Sequence, residues 1–179
     1  MVIIGIDASL RSTGITVSDY NPQTGNFSND RFFIITPHTT KSQSQNTDIK
    51  YIEYHKTENK TETINNYIDV LQTLLFAYEP EIVIVEDIPY LSGSRSVVDL
   101  AILNGAIRTL SHMNNIDIYA VNNMTWKKEL IGNGGADKDF TVMNFVGLNP
   151  SFSKYTTKQI NDVADSFFIC RYYWKIAEH

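Results

Sequence analysis

The pattern of apolar and polar positions in the first third of the chain predicts strands. Val2–Asp7 is a short apolar segment that ends in a carboxylate, and Gly14–Ser18 follows it after a turn. Together they predict a β-hairpin, and Phe32–Thr36 predicts a third strand. Residues 37–60 are polar and rich in Thr, Ser, Gln and Asn. We expect a long exposed loop there, with a short strand at Ile49–Tyr54.

Helical and strand patterns alternate through the rest of the chain. Apolar residues at helical spacing before Pro80 predict a helix: Ile64, Tyr67, Ile68, Leu71, Leu74, Leu75 and Tyr78. Ile82–Glu86 is a continuous apolar strand, which is typical of a strand buried on both faces. The later predicted elements are a helix at Ser94–Met113, a strand at Ile116–Val121, short helices at Thr125–Leu130 and Lys138–Val146, and a last helix at Lys158–Trp174. This order predicts a mixed α/β sheet flanked by helices, in a single domain over residues 1–179.

Composition narrows the class of protein. The chain has 179 residues, of which 42% are hydrophobic and 20% are charged, as in an ordinary globular domain. Cys170 is the single cysteine, which excludes an intramolecular disulfide framework and favours a reducing compartment. We expect no signal peptide at the N-terminus and no membrane association, because no apolar stretch approaches the ~18 residues of a span. The expected location is therefore the cytoplasm. The abundance of Asn, Ile, Lys and Thr suggests an AT-rich genome, such as that of a phage, so the expected cytoplasm is that of a bacterium or of a phage-infected host.

The formal net charge of -5 argues at first against a nucleic-acid partner. The acidity is concentrated in the first half, because residues 1–89 carry 6 Lys and Arg against 12 Asp and Glu, whereas residues 90–179 carry 9 against 8. If four of the carboxylates bound two divalent cations, the working charge would be much closer to neutral.

Two carboxylates lie at or next to the ends of predicted strands. Asp7 ends the first strand and Glu86 ends the IVIVE segment. Ligands of open α/β sheets gather at the carboxyl ends of strands, although Asp7 could equally be a turn or cap residue. A structural explanation is harder for Glu86, because an unpaired charge buried in such a strand would cost several kcal/mol. Asp87 is expected to point the other way.

Two further carboxylates, Asp162 and Asp165, are three residues apart within the last predicted helix. Side chains at this spacing share a helix face, and like charges there repel. A solvated face near the helix N-terminus is the simpler explanation. Together with Asp7 and Glu86, however, the pair indicates a cation site, because four clustered acids without a cation would repel strongly. Oxygen ligands of this kind suit Mg²⁺ or Mn²⁺.

Four segments resemble the RuvC-type Holliday-junction resolvases of the RNase H-like superfamily. Residues 5–14 (GIDASLRSTG) are similar to the family's GIDPGxxxTG opening, with Ala8-Ser9 in place of Pro-Gly. Ile84-Val85-Glu86 resembles its strand-borne catalytic Glu, and Ser96, Val98, Leu100 and Gly105 fit the helix that follows. Residues 126–138 (WKKELIGNGGADK) resemble the (V/W)KxxxxGxGxAxK segment, and residues 162–165 (DVAD) resemble the DAAD helix. The four segments occur in the family's order over almost the whole chain.

The resemblance implies an RNase H-like fold, a homodimer and metal-dependent cleavage of four-way junctions. The expected catalytic and metal-binding carboxylates are Asp7, Glu86, Asp162 and Asp165, around two Mg²⁺ ions that Mn²⁺ could replace. One ion would activate water and the other would stabilise the leaving 3′ oxygen. Lys127 and Lys138 would offset negative charge at the phosphate, although they could also be ordinary surface lysines.

The predicted DNA contacts lie in the segment from Glu86 to the first turn of the helix that follows it, and in the segment from Lys127 to Lys138. They are Tyr90, Arg95, Lys127, Lys128, Gly134 and Lys138. The family's base-stacking aromatic falls on Pro89, so we predict that the neighbouring Tyr90 takes this role, unless it only stiffens its own loop. Gly132–Ala136 contains three glycines, whose backbone could approach a phosphate closely or simply form a flexible loop.

Three alternatives remain open from the sequence. The first is another RNase H-like nuclease, acting on other branched DNA, on RNA or on hybrids through the same carboxylates. The second is a non-catalytic nucleic-acid-binding protein, which would gain nothing from four clustered acids. The third is a fragment of a sugar kinase or ATPase, for which the chain is too short and has no second phosphate loop.

Overall fold

The computed structural model describes residues 1–40, 43, 46–88 and 95–178, and it has a six-stranded mixed sheet with helices on both faces. The strands are β1 (Val2–Asp7), β2 (Thr13–Asn21), β3 (Asn26–Thr36), β4 (Ile49–Glu53), β5 (Ile82–Glu86) and β6 (Asp117–Val121). The helices are α1 (Lys60–Tyr78), α2 (Arg95–Met113), α3 (Asn123–Ile131), α4 (Lys138–Leu148), α5 (Thr157–Arg171) and α6 (Tyr173–Ala177), with a 3₁₀ turn at Pro150–Lys154. The prediction of a mixed α/β sheet flanked by helices is confirmed.

The strand order is β4-β3-β2-β1-β5-β6. β1, β2 and β3 form an antiparallel meander, whereas β5 runs parallel to β1, β6 parallel to β5, and β4 parallel to β3. β1 and β5 are therefore central neighbours whose carboxyl ends lie at the same edge of the sheet.

Alternate residues of the central strands contribute to two separate apolar cores. Ile4, Ile6, Val83 and Val85 pack with residues of α1 and α2 on one face. Ile3, Ile82 and Ile84 pack on the other face with residues of α3, α4 and α5. Because successive side chains of a strand point to opposite faces, this parity places Asp7 and Glu86 on the face that α5 covers.

Two elements differ in extent from the sequence predictions. The β2–β3 hairpin is longer, because polar residues 19–31 continue the strand pairing past a bulge between Val17 and Asp19. The last helix ends at Arg171, and α6 follows after Tyr172. The break between these two helices accompanies edge-on packing of the Tyr173 ring against Tyr20, with the ring centroids 5.2 Å apart.

Candidate active site

Helix α5 lies directly on the β1–β2 hairpin at two glycines. A Cβ atom at Gly14 would stand 1.9 Å from the carbonyl oxygen of Asp162, and one at Gly5 would stand 2.4 Å from that of Ser166. Real Cβ contacts essentially never fall below 3.0 Å, so only glycine permits this approach. Since Gly14 is paired with Asp7 across the hairpin, the close contact brings the α5 carboxylates to the end of β1.

The sheet register brings the other two carboxylates together. Ile6 and Val85 are paired in the parallel β1–β5 ladder, and Asp7 and Glu86 each follow by one residue. Both line one small cavity of about 80 Å³, together with Asn104 of α2. Asp87, which also lines it, leaves its side chain half exposed, 3.9 Å from the Arg108 guanidinium.

The surroundings change the acidity of two of these carboxyls. Burial raises the pKa of Asp7 well above its ordinary value, and the negative charges of Asp165, Glu86 and Asp162 raise it further. Burial is also the main reason that the pKa of Asp165 rises to about 7, and Glu86 and Asp162 add to this rise. The four carboxylates are therefore close enough to interact electrostatically, and the raised pKa values favour the protonated forms of Asp7 and Asp165.

Two lysines act in the opposite direction on these carboxyls. The positive charge of Lys127 lowers the pKa of Asp165, and that of Lys138 lowers the pKa of both Asp165 and Asp7. Lys127 is half-buried and donates a hydrogen bond to the backbone oxygen of Ala136 at 3.0 Å. Lys138 is exposed in the first turn of α4.

Hydrogen-bond donors hold two of the carboxylates. Ser12 Oγ and Asn161 Nδ2 donate to the two oxygens of Asp162. Asn123 Nδ2 donates to Glu86 Oε2 at 2.7 Å. Sequence patterns alone do not distinguish these donors, because serine and asparagine in turns and near helix starts are ordinarily explained as caps.

The residues fit a hard divalent cation by their chemistry, although their side chains do not enclose one. Among the described residues, no group of three or more His, Cys, Asp or Glu side chains is arranged to hold a metal ion. Burial and mutual repulsion raise the pKa values of Asp7 and Asp165, and hydrogen-bond donors hold Asp162 and Glu86. A set of four carboxylates is nevertheless the donor set that Mg²⁺ and Mn²⁺ prefer.

The other predicted DNA-contact residues are only partly described by the structure. Lys128 is exposed on α3, while Gly134 lies beside that helix, where an added Cβ would be 3.0 Å from the carbonyl oxygen of Met124. Close packing of this loop is therefore one reason for a glycine at 134. Arg95 is the first residue of α2, but its side chain lies outside the described residues, as does the whole of Tyr90.

The sheet order, the helices on both faces and the carboxylates at the ends of β1 and β5 define an RNase H-like α/β protein. Solved structures support this class. A Thermus thermophilus RuvC structure aligns with a TM-score of 0.65 at 18% identity, covering 98% of this chain and 95% of that one. The fowlpox virus Holliday junction resolvase aligns with a TM-score of 0.58 at 15% identity, covering 98% of this chain and 99% of that one.

Sequence comparison then gives the family. The family model of crossover junction endodeoxyribonuclease RuvC matches residues 3–169, so this chain belongs to the RuvC family. A relative from Fusobacterium nucleatum of that name is 26% identical over 173 residues, covering 95% of this chain and 78% of the relative. Another, from Endomicrobium trichonymphae, is 28% identical over 138 residues, covering 77% of this chain and 63% of the relative. The resemblance inferred from the four segments is confirmed.

Proposed function

We propose that this chain is a crossover junction endodeoxyribonuclease that hydrolyses phosphodiester bonds in four-way DNA junctions. One observation carries the proposal. In a chain that the RuvC family model matches over residues 3–169, Asp7, Glu86, Asp162 and Asp165 interact electrostatically on one face of the sheet.

The proposed metal centre consists of these four carboxylates, with Mg²⁺ as the natural ion, two ions per site and Mn²⁺ as a substitute. When bound, the ions supply an activated water and stabilise the leaving oxygen. Asp7 is central among the ligands, since three other carboxyls affect its pKa. Asp165 and Glu86 approach from the helix and from the neighbouring strand.

Lys127 and Lys138 are proposed to bind the phosphate beside the metal ions. Both influence the Asp165 carboxyl through their charge, so they would also act on a phosphate bound beside that carboxyl. Their positive charges would offset the negative charge that develops during hydrolysis. Lys128, Gly134, Arg95 and Tyr90 are proposed to contact DNA further from the reacting bond.

A homodimer is part of the proposal, because a four-way junction has two symmetric strands to cut and a two-fold dimer presents two matching sites. Helix α2 offers a surface for it. Leu103 and Ile107 on one side of α2 are buried in the core, whereas Val98 and Ile102 are 54% and 41% exposed. Gly105, also exposed, would meet nothing within 4 Å if it carried a Cβ.

Among the described residues, no helix has the length and apolarity needed to cross a bilayer. We propose that the protein works in the cytoplasm, where its DNA substrate would be found. An RNase H-like nuclease that prefers other branched DNA, RNA or hybrids is the second candidate, because it would use the same carboxylates and differ mainly in the loops around them.

The test is cleavage of a labelled synthetic four-way junction in Mg²⁺ and in Mn²⁺, beside three-way, flap, linear and RNA–DNA hybrid substrates. We expect paired, symmetric cuts in the four-way junction and at least tenfold slower cutting of the other substrates. Equal cutting of all branched substrates, or a preference for the hybrid, would favour the second candidate. Absence of metal-dependent cutting on every substrate would refute both.

A further inference from the structure

Helix α3 fixes one oxygen of Glu86 from outside the carboxylate cluster. Asn123 Nδ2 lies 2.7 Å from Glu86 Oε2, and Trp126 Nε1 lies 3.4 Å from the same oxygen. The first contact is a short, well-formed hydrogen bond, whereas the second is long and weak. Because both donors contact Oε2, helix α3 restricts the orientation of the Glu86 carboxylate and leaves Oε1 to other partners.

The start of α3 is built so that these two side chains share a face. Asn123 and Trp126 are three residues apart in the first turn, which places them side by side. Trp126 is fully buried, and its ring stacks on Phe168 of α5 with 5.9 Å between centroids and 10° between planes. The helix is thereby anchored to the element that carries Asp162 and Asp165, and Asn123 projects toward the end of β5.

Two adjacent asparagines at the start of this helix make different contacts. The Asn122 side chain is the N-cap and accepts a hydrogen bond from the backbone N–H of Met124 at 3.0 Å. Asn123 takes no part in that cap and donates to Glu86 instead. Asn123 is the first residue of the helix and makes no capping contact there, so helix capping does not explain it.

We propose that Asn123 is a positioning residue, which holds Glu86 in the orientation needed to ligate the catalytic metal. The inference rests on the proposed function, in which Glu86 is a metal ligand. A carboxylate only accepts hydrogen bonds, so the amide presents its NH₂ group and leaves the negative charge of Glu86 intact. A neutral donor stabilises the charged carboxylate without competing with the cation. A lysine in the same place would compete with the cation, because it carries a positive charge. Partners of this kind commonly change metal affinity or activity by about 10–100-fold when removed.

The experiment compares Asn123→Ala with Asn122→Ala in the intact 179-residue chain. Metal binding is measured without DNA, from the rise in melting temperature during titration with Mg²⁺ and, separately, with Ca²⁺. The Mg²⁺ dependence of junction cleavage is then measured at saturating junction. We expect Asn123→Ala to raise the half-saturating concentration of both ions about tenfold, with a melting temperature in EDTA close to that of the wild type. Asn123→Leu keeps the volume without the donor and should behave in the same way.

Asn122→Ala is the matched control, because it removes the cap and leaves the Glu86 contact. It should lower the melting temperature in EDTA while leaving the half-saturating metal concentration unchanged. A purely structural role for Asn123 predicts the same pattern for both variants, namely lower thermal stability with wild-type metal dependence, and that result would overturn the inference.

Glu86→Gln separates failure of this inference from failure of the proposed metal site. If Glu86→Gln binds both ions as tightly as the wild type, then Glu86 is not a ligand and the proposed site is wrong. If Glu86→Gln is impaired while Asn123→Ala and Asn123→Leu keep wild-type affinity, the metal site stands and only the positioning role is refuted.

Discussion

Gly14 determines how closely α5 can approach β1, and its replacement by alanine tests whether that approach forms the site. The added Cβ would stand 1.9 Å from the Asp162 carbonyl oxygen and 2.4 Å from its carbonyl carbon. Both are backbone atoms, which no rotamer change can move away. Since such contacts essentially never fall below 3.0 Å, the helix backbone at Asp162 has to retreat by about 1 Å in Gly14→Ala, or the hairpin has to bend by as much.

The retreat should affect catalysis more than folding. Overpacking of this kind typically costs about 1–3 kcal/mol in the free energy of unfolding, which corresponds to a fall of roughly 2–12 °C in melting temperature for a chain of this size. A misplacement of about 1 Å between catalytic groups can reduce the rate about 100-fold. Asp162 and Asp165 would move together relative to Asp7 and Glu86, so metal affinity should fall as well.

The assay combines junction cleavage at saturating Mg²⁺, metal binding followed by melting temperature, and circular dichroism to show that the variant is folded. Gly147→Ala is the control, because it is an exposed glycine in α4 with nothing within 4 Å of an added Cβ. It should gain stability by about 0.5–1 kcal/mol and cut normally. A folded Gly14→Ala protein with wild-type metal affinity and cleavage rate would refute the reasoning.

Four further predictions concern the carboxylates, the dimer and Tyr90. Asp7→Asn should abolish cleavage in Mg²⁺ yet bind junctions in a gel-shift assay nearly as tightly as the wild type, and near-normal cutting would exclude Asp7 as a ligand. The folded-state pKa of Asp165, about 7, lies above the unfolded value of about 3.9, so the stability that its protonated form contributes is complete below about pH 4 and is lost as the pH rises through 7. Melting in EDTA should therefore show that the stability of the wild type falls over this pH range relative to that of Asp165→Asn. A rise in the relative stability of the wild type would show that the pKa of Asp165 is not raised by folding. Ile102→Glu should convert the dimer to monomer in sedimentation at micromolar concentration, whereas a wild-type protein that is monomeric with and without junction DNA would rule the dimer out. Tyr90→Ala should slow the cutting of intact junctions more than that of nicked junctions, with little change in melting temperature. An equal loss of cleavage rate on both substrates would show that Tyr90 has a structural role instead.

Local sequence determined the elements and the identities of the acids. The short apolar segment Val2–Asp7 and the continuous apolar run in Ile82–Glu86 predicted two strands that end in carboxylates, and both strands are present. The helical spacing of Asp162 and Asp165 placed them on one face of one helix. These predictions succeed because the periods of strands and helices are properties of the chain itself. The order of the four RuvC-like segments also sufficed to predict the family.

Only the tertiary structure decided which surfaces meet. Nothing local to residues 5–14 shows that both glycines lie under α5, or that their missing Cβ atoms admit the backbone of Asp162 and Ser166. The hydrogen bond between Asn123 and Glu86 spans 37 residues, and the sequence around Asn123 indicates only the start of a helix. The raised pKa of Asp7 likewise depends on burial and on carboxyls from two other elements. Contacts between distant segments arise when the sheet and its covering helices pack together, so sequence periodicity predicts the faces of each element but not the neighbours those faces acquire.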